Sequence, residues 1–341
     1  MSKLIKIKKY KYNSFIYYVR YFVPPMLRKI RIRKCLNILH TLWDWKIKNT
    51  ILKSSPFVFR LEPSTLCNLR CPKCPTPVRM SNGNLKRMTL QNFKLIYDLI
   101  SKYVYRLTFY IDGEPLTNPN LFDMIKIAGN DKVFTSFCTN FTLMKPELIE
   151  PLFNSKLDLI SICLDGYSQE VYQQYRVNGD VEKVKNGIKM VMEYKKKHKL
   201  NYPYVNIYTI KFNHVLPEVE KIELFCKEEN VDQLTFRPDQ WNIDGSYLLA
   251  KESLLPKSKC FWPWLNMSID AEGSVYPCPV AWTNRNPYGN ILKETLDNIW
   301  NNELYVETRE YLTDKNDSQK TSNLKIPCHT CRWYGDKNHF S

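Results

Sequence analysis

Three cysteines near residue 70 have the spacing of a ligand set for a soft metal centre. Cys67, Cys71 and Cys74 are separated by three and then two residues, all within eight positions. Thiolates favour iron–sulfur clusters, zinc and copper(I). Structural zinc is usually bound by four ligands in two pairs, whereas three thiolates on a four-iron cluster leave one iron open. The residues alone therefore leave two alternatives: an open cluster, or a zinc knuckle completed from elsewhere in the chain.

A second set of cysteines lies near the C-terminus. Cys260 and Cys278 come first, and Cys328 and Cys331 follow with two residues between them. Four thiols complete the ligand set of one iron–sulfur cluster, and a zinc ribbon would use the same four. Residues 241–341 have little periodic core, and small domains of this kind usually depend on a metal or cluster. The remaining cysteines fall in predicted strands or helices and are predicted to fill the core: Cys35, Cys138, Cys163 and Cys226.

The elements that must position the first cysteines follow a regular rhythm between residues 57 and 240. Short apolar runs alternate with amphipathic stretches, and Thr89 is a predicted N-cap of one such helix. The predicted strands are 57–61, 106–111, 133–138, 157–164, 204–212 and 233–237. Strands that alternate with helices predict a parallel sheet with right-handed crossovers, either open and doubly wound or curved into a partial barrel. The first cysteines follow the first strand, and active sites form at that end of parallel strands.

The C-x3-C-x2-C spacing after the first strand resembles the signature of radical S-adenosylmethionine (SAM) enzymes, and the resemblance covers roughly residues 57–340. It implies an α/β fold, with a (β/α)6 partial TIM barrel at 57–240 and a small SPASM/twitch-like domain at 241–341. It also implies a [4Fe–4S] cluster on Cys67, Cys71 and Cys74, whose open iron binds SAM. Reductive cleavage of SAM then gives a 5′-deoxyadenosyl radical, which abstracts a hydrogen atom from the substrate.

The end of the second predicted strand resembles a SAM-binding segment of this family. Asp112–Pro115 reads Asp-Gly-Glu-Pro where the family has Gly-Gly-Glu-Pro. The resemblance implies that Gly113 lets the backbone approach the methionine part of SAM, and that Glu114 accepts from its ammonium group. Lys73 stands where many members have an aromatic residue or methionine against adenine.

The ends of the third and fourth strands also resemble SAM-binding segments. Thr139 and Asn140 match a Thr-Asn segment near the ribose. Ser161 and Arg176 match a serine and arginine that hold the SAM carboxylate, although Cys163 stands where the serine is usual. Ser161 lies two residues earlier on the strand and so points to the same face. The sequence leaves the catalytic acid or base unassigned.

The C-terminal cysteines resemble the SPASM/twitch extension of the family, with an auxiliary [4Fe–4S] cluster on Cys260, Cys278, Cys328 and Cys331. A fully ligated cluster suits electron transfer, which favours oxidation of the substrate radical and an oxidoreductase or dehydrogenase over a redox-neutral epimerase. The favoured substrate is a small molecule, a sugar or a lipid-linked compound, and the alternative is a maturase of a peptide or protein. A reduced flavodoxin or ferredoxin-type protein is the expected electron donor.

The N-terminal segment has a charge unlike that of the rest of the chain. Residues 1–56 carry 14 Lys or Arg and one acidic residue, Asp44, whereas the rest carries 36 basic and 33 acidic residues. Its aromatic residues are Tyr10, Tyr12, Phe15, Tyr17, Tyr18, Tyr21, Phe22, Trp43 and Trp45. Pro24-Pro25 predicts a break into two helical pieces, and Ser54–Pro56 predicts a hinge. Such an arm suits an anionic membrane surface; the alternatives are a helix packed on the body and a nucleic-acid contact.

Length and composition restrict the class of protein. A chain of 341 residues predicts about two domains. Its 44% hydrophobic and 25% charged residues exclude a disordered, collagenous or coiled-coil protein. The sequence has no apolar run of about 18 residues and no cleavable signal, which predicts a cytoplasmic location, with the arm in peripheral contact with the inner membrane face. The cysteines are therefore expected to be reduced.

Two other classes of protein account for parts of the sequence. A zinc-stapled nucleic-acid-binding protein would explain the basic arm and the cysteines, and an iron–sulfur electron carrier would explain the cysteines. The first does not explain Asp112–Pro115 at the end of a strand, and the second has no use for a cluster with an open iron. Nucleic acid is therefore not the expected partner.

Overall fold

A sheet of parallel strands forms the centre of the computed structural model. The model describes residues 32–72, 74–81, 83, 85–239, 259–279, 281, 286–313 and 325–331. The strands are β1 Val58–Leu61, β2 Arg106–Phe109, β3 Phe134–Thr139, β4 Leu159–Cys163, β5 Tyr204–Lys211, β6 Gln233–Pro238, β7 Asn266–Ile269 and β8 Val275–Tyr276. Their order in the sheet is β6-β5-β4-β3-β2-β1-β7-β8. The six strands predicted from the sequence are thus confirmed, and β1 to β6 form the expected partial barrel.

Helices connect the strands and cover the outside of the sheet. They are α1 Ile32–Ile47, α2 Pro75–Ser81, α3 Leu90–Ile100, α4 Leu121–Asn130, α5 Ile149–Asn154, α6 Gln169–Tyr175, α7 Val181–Lys197, α8 Val219–Glu228, α9 Trp262–Leu265, α10 Leu296–Trp300 and α11 Glu303–Tyr311. Thr89 caps α3 as predicted, because its hydroxyl accepts from the Asn92 amide. Among the residues described, no helix has the length and apolar character to cross a membrane.

Alternation along the strands gives the sheet two different faces. The face packed against the helices is apolar and includes Phe59, Leu107, Phe109, Phe137, Ile160, Ile162 and Ile207, all buried. Phe109 on this face contacts Phe93 of α3, with ring centroids 5.8 Å apart. The inner face is polar and includes Arg60, Thr108, Ser136, Cys138, Ser161, Cys163 and Asn206. The interior of the barrel is therefore a polar chamber rather than an apolar core.

The C-terminal region is joined to the barrel through the sheet. β7 pairs in parallel with β1, so that Val58 faces Asn266 and Leu61 faces Ile269. The pairing continues beyond the strand, where the Glu62 amide donates to the Ile269 carbonyl at 2.9 Å. β8 then pairs antiparallel with β7. The C-terminal region thus extends the sheet of the barrel by two strands.

The segment predicted as a hinge, Ser54–Pro56, is fixed in the structure, and that prediction is wrong. The backbone of Ser55 exchanges two hydrogen bonds with the Asn37 amide, at 2.9 and 3.0 Å. The Ser54 hydroxyl donates to the buried Asp44 carboxylate at 2.6 Å. These bonds hold the segment against α1, and the Trp300 indole, which donates to the Ser54 carbonyl at 2.9 Å, holds it against the C-terminal region.

Helix α1 packs against both the barrel and the C-terminal region. The buried Lys34 ammonium donates to the Val104 carbonyl at 2.7 Å, and the Trp45 indole donates to the Cys260 carbonyl at 2.9 Å. The second helical piece predicted for the arm is confirmed by α1. The predicted break at Pro24-Pro25 lies outside the described residues.

A buried arginine fastens the N-terminal segment to the C-terminal region. The Arg309 guanidinium donates to the carbonyls of Pro263, Thr50 and Trp300 at 3.0, 2.9 and 2.8 Å. It also lies 4.5 Å from the centroid of the Trp300 ring. One side chain therefore joins three separate backbone segments, and its planar fork of donors suits this role.

Candidate active site

The first cysteine set lies in the loop that follows β1. Burial, with smaller contributions from the charges of Glu114, Cys71 and Cys74, raises the pKa of Cys67 to about 12. The Cys67 sulfur accepts from the Leu69 amide at 3.4 Å. Such bonds stabilise thiolate sulfur and are a feature of iron–sulfur sites.

The turn after β2 is packed tightly against the cysteine loop. A Cβ atom at Gly113 would lie 1.9 Å from the Ser64 carbonyl oxygen, so only glycine fits. The Glu114 amide donates to the Leu66 carbonyl at 2.7 Å. The Glu62 carboxylate at the end of β1 accepts from the Asp112 amide at 2.6 Å. The turn and the cysteine loop are thus held together as one unit.

Glu114 is buried beneath this turn and holds the end of β3. One carboxylate oxygen accepts from the Thr139 hydroxyl at 2.7 Å and from the Leu116 amide at 3.0 Å. The other accepts from the Asn140 amide at 2.7 Å. Burial raises the pKa of Glu114, and these hydrogen bonds oppose that shift. A carboxylate has about four acceptor sites, so one remains for a further donor.

Thr139 and Asn140 link β3 to the cysteine loop. The Thr139 hydroxyl donates to the Glu114 carboxylate. The Asn140 side-chain amide donates to the Asn68 side chain at 3.0 Å and lies 3.7 Å from the Cys67 sulfur. Asn140 thus contacts the cysteine loop directly, whereas Thr139 is connected to it through Glu114.

Arg176 reaches the same loop from the end of α6. Its Nε and Nη2 atoms lie 2.7 and 2.6 Å from one oxygen of the buried Asp165 carboxylate. The other Asp165 oxygen accepts from the Ile210 amide at 2.6 Å. Nη1 of Arg176 lies 3.8 Å from the Cys71 sulfur. Asp165 thus orients Arg176 over the cysteine loop, a role that the sequence did not reveal.

Ser161 lies on the inner face of β4, away from these contacts. Its hydroxyl is 3.5 Å from the Asn206 side-chain amide of β5. Among the described residues, no hydrogen bond joins Ser161 to Arg176.

Two thiols that were predicted to fill the core instead meet inside the chamber. The sulfurs of Cys138 and Cys163, on neighbouring strands, are 3.6 Å apart. The pKa of Cys163 is lowered by the Cys138 hydrogen bond and by the Arg176 charge, against the effect of burial. The pKa of Cys138 is raised by the same hydrogen bond and by burial. Either sulfur can donate in this contact, and the positive charge of Arg176 opposes the effect of burial on the pKa of both thiols.

The second cysteine set converges beside β7 and β8. Burial and the charges of Cys278 and Cys331 raise the pKa of Cys260. Burial also raises the pKa of Tyr288, and the charges of Cys328 and Cys278 add to that shift. The Cys278 sulfur accepts from the Ala281 amide at 3.3 Å. Within the described part of the chain, no three His, Cys, Asp or Glu side chains are spaced to hold a single metal ion.

Comparison with protein families identifies the two regions. The model of the radical SAM superfamily matches residues 61–216. The model of an iron–sulfur cluster-binding domain, SPASM, matches residues 260–332. The chain belongs to the radical SAM superfamily. It is a radical SAM enzyme with a C-terminal SPASM domain, and its cofactors are SAM, a [4Fe–4S] cluster and auxiliary iron–sulfur.

Curated relatives of this radical SAM enzyme are distant. A cysteine-type anaerobic sulfatase-maturating enzyme of Clostridium novyi is 23% identical over 330 residues, covering 80% of this chain and 83% of that protein. An AdoMet-dependent heme synthase of Methanosarcina barkeri is 25% identical over 179 residues, covering 52% of this chain and 49% of that one.

Solved structures share the fold of this radical SAM enzyme. SuiB of Streptococcus suis superimposes with a TM-score of 0.61 at 16% identity, covering 79% of this chain and 71% of that one. The protein anSMEcpe with bound AdoMet gives a TM-score of 0.56 at 17% identity, covering 82% and 86%. At these identities the likeness concerns the fold alone.

Proposed function

We propose that this radical SAM enzyme oxidises its substrate and passes an electron to an auxiliary [4Fe–4S] cluster in the SPASM domain. The observation that carries the proposal is the pairing of β7, which lies between Cys260 and Cys278 in the chain, with β1. β1 leads into the loop of the first cysteines. The two cysteine sets thus flank one pair of hydrogen-bonded strands, and a fully ligated cluster at the second set suits electron transfer.

We assign the ligands by the thiol sets described above. The SAM-binding [4Fe–4S] cluster is held by Cys67, Cys71 and Cys74, and the auxiliary cluster is held by Cys260, Cys278, Cys328 and Cys331. We assign SAM to Gly113, Glu114, Thr139, Asn140, Ser161 and Arg176. All-thiol donor sets fit iron–sulfur chemistry, and the amide donors onto Cys67 and Cys278 fit the thiolate form.

The residues of the chain bind and orient SAM and do not themselves react. When bound, the cluster and SAM supply a carbon radical that can take a hydrogen atom from the substrate. Glu114 offers its remaining acceptor site to an ammonium group. Arg176 retains N–H donors beyond those used by Asp165 and Cys71, which suits a carboxylate. Glu114 and Asp165 are buried, and a low local dielectric strengthens contacts between charged groups.

Two substrate classes have support. The basic N-terminal segment favours a small molecule, a sugar or a lipid-linked compound at a membrane surface. A peptide or protein is the second candidate, because the relatives include the sulfatase-maturating enzyme and a PqqA peptide cyclase, and SuiB was crystallised with its precursor peptide SuiA. In either case the electron donor is a reduced flavodoxin or ferredoxin-type protein.

The proposed location is the cytoplasm, with peripheral contact at the inner membrane face. The support is the net charge of residues 1–56, which carry 14 Lys or Arg and only one acidic residue. Charge of this kind attracts a protein to anionic lipid headgroups.

Iron analysis and SAM cleavage test the two cluster sites separately. After anaerobic reconstitution, the wild type should hold about eight irons per chain and release 5′-deoxyadenosine with dithionite. Cys331→Ala should hold about four irons and still release 5′-deoxyadenosine, because only the auxiliary site is lost. Cys71→Ala should also hold about four, without release.

A matched control and a reductive titration complete the test. Cys226 is a buried thiol of α8, and Cys226→Ala should change neither iron content nor release. The wild type should take up one more electron per chain than Cys331→Ala. Zinc in place of iron at the second site, or equal electron uptake by the two proteins, would contradict the proposed electron transfer.

A further inference from the structure

Helix α1 presents a continuous apolar stripe to solvent. Leu36, Leu39, Trp43 and Ile47 are 64%, 63%, 56% and 40% exposed. Their spacing of three and four residues places them on one side of the helix. Ile51, just beyond the helix, is 70% exposed. Single exposed apolar residues are ordinary, but an aligned set marks an interaction surface.

The opposite side of α1 is anchored, so the stripe cannot turn inward. Lys34 is hydrogen-bonded to the Val104 carbonyl near the start of the helix. Trp45 is bonded to the Cys260 carbonyl near its end, and Ile38 between them is buried. Anchors at both ends fix the rotation of the helix on the body.

The charge around the stripe is positive. Asp44 is the sole acidic residue of segment 1–56, and it is buried and bonded to Ser54 rather than presented to solvent. Lys46 and Lys53 are exposed beside the stripe. Residues 1–31 precede the helix and add nine Lys or Arg with no acidic residue. An apolar stripe with a basic surround is complementary to anionic lipid.

We infer that the α1 stripe lies in the headgroup region of an anionic bilayer, with Leu36, Leu39, Trp43 and Ile47 directed toward the acyl chains. Trp at such a depth and Lys beside it are typical of interfacial helices. The inference deepens the peripheral membrane contact of the proposed function by naming the surface that makes it. It does not depend on the proposed oxidation.

A pair of matched double variants tests the stripe. Leu39→Gln/Trp43→Gln removes two stripe residues. Leu95→Gln/Leu224→Gln removes two apolar side chains of α3 and α8 that are 50% and 56% exposed, and so controls for the loss of surface hydrophobicity. Reconstituted proteins are sedimented with vesicles of phosphatidylglycerol and phosphatidylcholine, and with vesicles of phosphatidylcholine alone.

The wild type should bind the anionic vesicles, and the stripe variant should bind at least about tenfold more weakly, since each side chain withdrawn from an apolar phase costs roughly a tenfold factor or more. The control variant should bind like the wild type. Iron content and 5′-deoxyadenosine release should be unchanged in both variants, which shows that they are folded and separates this test from that of the redox proposal.

Three results would overturn the inference. The first is no vesicle binding by the wild type. The second is equal binding by the stripe variant, which would assign the contact to another surface. The third is a wild-type dimer that the stripe variant converts to monomer without vesicle binding, which would assign the stripe to a second copy of the chain. Deletion of residues 1–31 should weaken binding at low salt but leave a salt-resistant part that depends on the stripe.

Discussion

Replacement of Gly113 by alanine should damage the SAM site through one close contact. A Cβ at this position would lie 1.9 Å from the Ser64 carbonyl oxygen and 3.0 Å from the Leu66 carbonyl oxygen. Carbon and oxygen atoms in non-bonded contact are rarely closer than about 3 Å. Because both neighbours are backbone atoms, no rotamer change relieves the clash, and the turn must move by about 1 Å or more.

The size of the effect follows from this displacement. Overpacking costs about 1–3 kcal/mol. The hydrogen bond from the Glu114 amide to the Leu66 carbonyl, now 2.7 Å, would break and cost about 1 kcal/mol more. For a chain of this length, the melting temperature should therefore fall by roughly 3–6 °C. Glu114 would move with the turn, and an error of about 1 Å in a positioning group can cost roughly 100-fold in rate.

Uncoupled SAM cleavage measures this loss without knowledge of the substrate. Reconstituted Gly113→Ala should release 5′-deoxyadenosine about 100-fold more slowly than the wild type while keeping its iron. Gly129→Ala in α4 is the matched control, because its Cβ would come no closer than 3.0 Å to Lys156 Cβ and 3.1 Å to the Ser155 carbonyl oxygen, a far milder contact than the 1.9 Å at Gly113. The reasoning is refuted if Gly113→Ala cleaves SAM within about threefold of wild type and melts at the same temperature.

Two further predictions concern stability. Arg309→Lys should destabilise the protein by about 2–4 kcal/mol in thermal or urea unfolding, because one ammonium cannot serve the three carbonyls that the guanidinium binds. Burial raises the pKa of Glu218, but the amides of Ser168 and Tyr167 outweigh it and hold the pKa below 4.5. Their bonds to the carboxylate therefore stabilise the fold above pH 4.5, and Glu218→Gln should cost about 1 kcal/mol at pH 7 and progressively less as the pH falls below that value.

The barrel was predictable from the sequence because its elements are locally periodic, and the family resemblance predicted the SPASM-like region, but not how that region joins the sheet. β7 was expected in a separate small domain, yet it pairs with β1, and no local pattern encodes a partner some 200 residues away in the chain. Helix α11 was not predicted because its inward side carries Thr308 and Arg309, which weakens the apolar periodicity on which the prediction depends.

In the candidate site, too, the parts that are continuous in sequence were predictable, and the contacts made only by the fold were not. The cysteine loop and the Gly113–Glu114 turn are continuous in sequence, so the family resemblance was enough to select them. Cys138 and Cys163 each have the pattern of a core residue, and only the pairing of β3 with β4 brings their sulfurs to 3.6 Å. The sequence did not identify Asp165 as the partner of Arg176 either, because tertiary structure forms this contact: it depends on how α6 packs against the sheet.

The structure also decides where the basic segment can be cut. Charge alone suggests that residues 1–56 form one removable arm. However, Ile38 and Leu52 are buried in the core, and Arg309 binds the Thr50 carbonyl at 2.9 Å. Removal of 1–56 would open the core and expose the region of Cys260, so a loss of vesicle binding would not distinguish a missing contact from an unfolded protein.

A cut after residue 31 avoids that ambiguity. It removes nine of the 14 basic residues and leaves the anchors of α1 at Lys34 and Trp45 in place. A truncated enzyme that keeps its iron and its SAM cleavage, but binds anionic vesicles only through the α1 stripe, would show that charge and apolar contact contribute separately. Loss of iron on the same cut would instead mean that residues 1–31 support the fold.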